Sequence, residues 1–144
     1  MKRLVYLISP NRIKKKFYNN LDKVLSYGNV KFFQLRLKKN KKNNILKIAN
    51  KIKKVTHKYK VKFIINDDYI LASKINADGC HMGQLDGSIF NARIKLKKRI
   101  LGVTCHNSKN LAKDAILNNK NLEIINDGSY RFNKSQGFFF STGV

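Results

Sequence analysis

Long hydrophobic runs are missing from this sequence. No stretch approaches the ~18 apolar residues of a membrane-spanning helix, so no transmembrane segment and no membrane partner are expected. Cysteine is scarce. Cys80 and Cys105 are the only two, and they lack the CxxC spacing of a zinc site. Acidic residues are few, 8 against 31 lysines and arginines, and the formal net charge is +23. Such a field attracts polyanions of any kind. The excess is nearly all lysine, however, scattered along helix faces among many asparagines. No arginine cluster with interleaved aromatics marks a base-stacking surface. The charge therefore reads as solvated helix surface, from which an anionic substrate also benefits, and no specific nucleic-acid partner is expected. No GxGxxG follows the first apolar segment, which counts against a dinucleotide-binding unit. No evident nucleophile–base pair is present either.

The opening MKRLVYLISP puts basic residues before an apolar run. That run, residues 4–8, is too short for a signal-peptide core, and no small-residue cleavage site follows Pro10. It reads as a first strand. A cytoplasmic location with both thiols reduced is expected.

What is present is organised around residues 61–87. Residues 61–65 form a β-branched apolar run, followed at once by Asn66, Asp67 and Asp68. Residues 77–80 form a weaker strand, followed by His81, Met82, Gly83, Gln84 and Asp86. If the two are parallel, Asp67 and Asp86 share the C-terminal end of one sheet, where α/β proteins place their chemistry. A carboxylate pair there suits Mg²⁺, which takes oxygen ligands and keeps substrate phosphates as further partners.

The remaining segments alternate in the same way. A strand at 30–35 ends in Gln34, Arg36 and Lys38, alternate positions that point one way in an extended chain. Helices are expected at 14–25 (apolar at Phe17, Leu21, Val24 and Leu25), at 45–55 and at 69–74. Two more are expected at 88–96 and after a cap at Asn107 or Ser108, the last burying Leu111, Ala112, Ala115 and Ile116. Gly28 is placed to end the first helix in a left-handed conformation, and Asn43 or Asn44 to cap the second. A fifth strand runs over 99–103, with Thr104 and His106 after it. The length of 144 residues allows one domain with a substantial core. Repeated strand–helix units mean a parallel α/β protein, either a (β/α)₈ barrel or a doubly wound sheet. Polar residues after strand upon strand favour the barrel.

After about Asn118 the pattern fails. Residues 122–125 read as a sixth strand, and the rest of the chain is turn-rich, with Phe138, Phe139 and Phe140 near the end. A full barrel takes about 200–250 residues. Five to six of eight units are therefore expected over 1–120, with 121–144 an atypical, truncated or altered tail that holds one strand, and with Phe138–Phe140 either a final strand or an exposed apolar end.

FQLRLK (33–38), FIINDD (63–68), ADGCHMGQLD (77–86) and ILGVTCHN (100–107) together resemble the thiamine-phosphate synthase family, also called thiamine monophosphate synthase. The resemblance runs from the first strand to about Ala115. It implies an incomplete TIM-type barrel and a transferase of thiamine biosynthesis. That enzyme joins hydroxymethylpyrimidine pyrophosphate to thiazole phosphate, with release of pyrophosphate and passage through a pyrimidine carbocation. It further implies that Gln34, Arg36 and Lys38 hold the pyrophosphate and pyrimidine, Arg36 and Lys38 acting catalytically. Asn66 and Thr104 also bind substrate, and Asp67 and Asp86 bind Mg²⁺. The thiazole-binding loops of the family have no match in 121–144.

By residue type alone, Asp67 and Asp86 would be a helix cap and a turn residue. His81 and His106 read as structural. Cys80 and Cys105 read as buried fillers, and Gly79 and Gly83 as sites of close approach and tight turning. A noncatalytic binding module of the same fold is one alternative function, and a thiazole tautomerase another. A homo-oligomer stays open, since uncovered sheet edges invite pairing.

Overall fold

The computed structural model describes residues 5–37, 41–106 and 108–118, together with the backbone of 124–126, 131–133 and 138–140; of Lys42 and Asn118 only the backbone is described. Strand and helix alternate as β1 (Val5–Ile8), α1 (Lys15–Ser26), β2 (Val30–Leu35), α2 (Lys42–Lys58), β3 (Lys62–Asn66), α3 (Tyr69–Lys74), β4 (Gly79–Met82), α4 (Ile89–Leu96), β5 (Ile100–Thr104) and α5 (Lys109–Asn118). Three short strands come after α5: β6 (Ile124–Asn126), β7 (Arg131–Asn133) and β8 (Phe138–Phe140).

The first six strands form one sheet in the order β1-β2-β3-β4-β5-β6, and every neighbouring pair is parallel. A doubly wound sheet reverses its strand order at a switch point. Here each strand lies beside its successor without reversal, which is the winding of a (β/α) barrel. Among the described residues the arc stays open, for β1 pairs with β2 alone and β6 with β5 alone. β7 and β8 make a separate antiparallel pair. The side chains of Phe138, Phe139 and Phe140 lie outside the described residues.

Strand side chains alternate between two cores. On the helix side, Phe33, Leu35, Phe63, Ile65, Cys80, Met82, Leu101 and Val103 are buried against α1 to α5. Phe33 and Phe63 stack with centroids 6.5 Å apart, and Phe17 of α1 closes on Phe33 at 6.2 Å. Each such large side chain contributes roughly 1.5–3 kcal/mol by leaving water. On the concave side a smaller layer gathers Tyr6, Phe32, Ile64 and Ile100. Gly79 makes room for it, because a Cβ there would come within 2.6 Å of the Ile100 Cβ.

Several local expectations shift. Asn43 and Asn44 do not cap α2. The helix starts earlier, with Lys41 at its N-cap and no side-chain cap bond. α5 is capped by Ser108, whose Oγ accepts from the Leu111 N–H at 3.2 Å; Asn107 lies outside the described residues. Val24 and Ile116 do not face inward but are 41% and 45% exposed. Each sits at the edge of its helix's apolar stripe, half-open to solvent. Gly28 does end α1 with φ +76°. The largest shift is in β4, which spans 79–82 and not 77–80. Asp78 holds the ladder just below it, donating its N–H to the Phe63 carbonyl and accepting the Phe63 N–H on its carboxylate at 2.8 Å. That moves His81 and Met82 into the strand.

Candidate active site

Strand alternation brings one side chain after another to the C-terminal rim of the concave face. At the end of β2, Gln34 is almost wholly buried. Its Oε1 accepts from the Tyr6 hydroxyl of β1 at 2.7 Å, and its Nε2 donates to Asn66 Oδ1 at the end of β3 at 2.5 Å. Ser9 pins the exit of β2, donating its N–H to the Gln34 carbonyl and accepting the Arg36 N–H on its hydroxyl, both at 2.9 Å. Arg36 is half-buried directly after the strand. Lys38 lies outside the described residues.

After Asn66 the chain turns sharply. Asp67 has φ +66° and donates its N–H to the His81 carbonyl at 2.7 Å. Aspartate tolerates this left-handed region better than most residues, yet it still carries backbone strain. The helix cap anticipated for this carboxylate belongs to its neighbour. Asp68 Oδ1 accepts the Leu71 N–H at 2.8 Å and caps α3. Asp86 does act in a turn, its Oδ2 accepting the Gly83 N–H at 2.6 Å. A Cβ at Gly83 would meet that same oxygen at 2.6 Å and would displace the Asp86 carboxylate from this turn.

The three carboxylates bear on one point. Burial first, and then Asp68, Asp67 and Asp86 in that order, push the Cys80 thiol far above its usual range. Cys80 is a buried thiol, and the geometry that places Asp67 and Asp86 at the end of β4 is the bond of the Asp67 N–H to the His81 carbonyl and of the Gly83 N–H to the Asp86 carboxylate. Among the described residues no group of three or more His, Cys, Asp or Glu could hold a metal by itself.

Across β4 and β5 a second pair closes the rim. His81 Nε2 lies 2.9 Å from Thr104 Oγ1. The Thr104 carbonyl accepts from Gln84 Nε2. Since Asn66 and His81 are register partners, the β1–β3 network and the β4–β5 pair adjoin. Tyr6, Ser9 and Asp68 were not anticipated from the sequence. Tyr6 carried a readable signal, its parity with the concave face of β1. His106 stands exposed with φ +46°.

Beside the rim, between α2 and α3, lies a cavity of about 410 Å³. Its walls are apolar side chains such as Leu37, Ile45, Ile65 and Leu71, and Asp67 and Asp68 border it. Ile65 belongs to the helix side of the sheet, and Asn66 of the polar network also lines the cavity.

The family model for thiamine monophosphate synthase matches residues 5–123. The thiamine-phosphate synthase of Pelagibacter ubique (strain HTCC1062) is 60% identical over 116 residues, covering 80% of this chain and 56% of the relative. That of Erythrobacter litoralis is 37% identical over 114 residues, covering 77% of this chain and 54% of the relative. The chain thus spans about half the length of the curated relatives it matches. In fold it is similar to a thiamine phosphate pyrophosphorylase from Pyrococcus furiosus, with a TM-score of 0.74 at 22% identity, over 87% of this chain and 59% of that one. With most of its strands and both acidic rim motifs inside the matched region, this chain belongs to the thiamine monophosphate synthase family.

Proposed function

We propose that the chain is a thiamine-phosphate synthase-type transferase, joining hydroxymethylpyrimidine pyrophosphate to thiazole phosphate and releasing pyrophosphate. The observation that supports this reading is that Gln34, Asn66, Asp67, Asp86 and Thr104 all stand at the C-terminal strand ends of one sheet, in a chain of this family. Asn66 and Thr104 bind the pyrimidine substrate, and Gln34, with both amide ends engaged, serves it by holding Asn66. Arg36 grips phosphate oxygens in a fork, and Lys38 adds a mobile point charge. Both neutralise the departing pyrophosphate, the main electrostatic demand of the reaction.

Asp67 and Asp86 fit Mg²⁺, which needs only one or two protein carboxylates and completes its shell with water and substrate phosphate. Both stand at the end of β4, Asp67 by its N–H on the His81 carbonyl, and the Gly83 N–H engages a single oxygen of Asp86. Bound there, the metal supplies positive charge to the leaving group. Purified chain given both substrates and Mg²⁺ should form thiamine phosphate. Asp67→Ala should lower the rate by on the order of 10²–10³-fold. A folded sample that forms no product removes the transferase reading.

A second reading of the same rim is noncatalytic. In it the chain is a binding module that takes up the pyrimidine diphosphate without coupling it. Calorimetry separates the two: Mg²⁺-dependent binding with no product supports the module.

A further inference from the structure

β4 carries a group that this chemistry leaves unused. His81 is 4% exposed. Its Nε2 is 2.9 Å from Thr104 Oγ1, and its Nδ1 is buried with no partner among the described residues. A protonated ring would bury a charge and leave Nδ1–H with no acceptor among the described residues, so this geometry favours the neutral imidazole. A neutral imidazole has one N–H and one bare lone pair. Orphaned buried N–H groups are rarer in folded proteins than orphaned acceptors. A proton on Nδ1 would bury such a donor. A proton on Nε2 is given to Thr104. The Thr104 oxygen then already accepts, and its own hydrogen is left to donate. Gln84 holds the backbone of Thr104 from the other side, so the hydroxyl stays at the rim.

We propose that His81 is a positioning residue that sets the hydrogen-bond polarity of Thr104: Nε2–H donates to Thr104 Oγ1, and the Thr104 O–H donates in turn to an uncharged acceptor on the ligand, of the ring-nitrogen type. The ring-nitrogen acceptor is the one that the proposed pyrimidine substrate presents. The nature of the ligand rests on the proposed function; the polarity does not.

Long-range ¹⁵N–¹H spectra of the full chain test the polarity directly. With 3 histidines to distinguish, His81→Gln assigns the signal. At pH 7 Nε2 should carry the proton and Nδ1 should be bare. A proton on Nδ1 overturns the proposal. Calorimetry with hydroxymethylpyrimidine pyrophosphate tests the relay. His81→Gln can place an amide N–H where Nε2 stands, and should keep the affinity. His81→Phe and Thr104→Val should each lose about tenfold, and the double variant no more than Thr104→Val alone. Additive losses, or full affinity in His81→Phe, overturn the proposal. A wild-type chain that shows the Nε2–H tautomer but binds no pyrimidine diphosphate refutes the proposed function and supports the polarity assignment.

Discussion

A single methyl group decides whether β4 can lie against β5. At Gly79 an added Cβ would meet both the Ile100 backbone and its Cβ, the latter at 2.6 Å. Neither can step aside without moving a buried strand. Gly79→Ala should therefore destabilise the chain by about 1–3 kcal/mol, read as a lower urea midpoint. Asp78, one residue earlier, supports a pH prediction. Burial works against its carboxylate, but the Phe63 N–H, His57 and Lys62 together outweigh this and lower its pKa below the ordinary 3.8. A lowered folded value stabilises wherever the group is ionised in both states. Its contribution is thus complete above the ordinary carboxylate range and fades as pH falls through the lower folded value. Asp78→Asn should cost about 1 kcal/mol at pH 7, and the gap between variant and wild type should narrow in unfolding curves at acid pH. At this scale the sequence was partly legible. Asp67 and Asp86 were visible as rim carboxylates. That Asp68 caps α3 and that Asp67 takes φ +66° depended on where β3 ends and α3 begins.

The helices begin at the rim where the site lies, and none of the five carries an acidic residue in its first turn. α1 starts from Lys14, exposed and without a cap bond. A cation there opposes the positive end of the helix dipole, whereas a carboxylate would satisfy free N–H groups. Lys14→Asp should raise stability by about 1 kcal/mol, measured by urea unfolding at low salt. No gain would mean that α1 is held by its Leu21 and Leu25 face alone. The elements themselves were readable because apolar spacing and caps are local. α3 keeps its expected bounds of 69–74, and α4 begins one residue later than expected, with Ser88 as its N-cap. β4 was misplaced by two residues because the apolar Ala77 lies just outside the strand, its N–H donated to the Ala72 carbonyl as α3 ends.

Across the whole molecule the net charge of +23 acts on every element at once. Like charges that cannot separate oppose the compact state, and added salt screens them. The melting temperature should rise by several degrees between low and moderate salt. A melting temperature indifferent to salt would show that local pairs such as Lys58–Asp22, 2.9 Å apart, already offset the repulsion. By itself the sequence determined the alternation of strand and helix, the parallel class and the acidic and basic motifs at strand ends. Each of these is written in neighbours a few residues apart. Only the tertiary structure decided the unreversed strand order and the meetings of Tyr6 with Gln34, of Gln34 with Asn66 and of His81 with Thr104. Those partners lie 23 to 32 residues apart. Their contact comes from strand register and the alternation of the pleat, and a shift of one residue would turn each side chain to the other face.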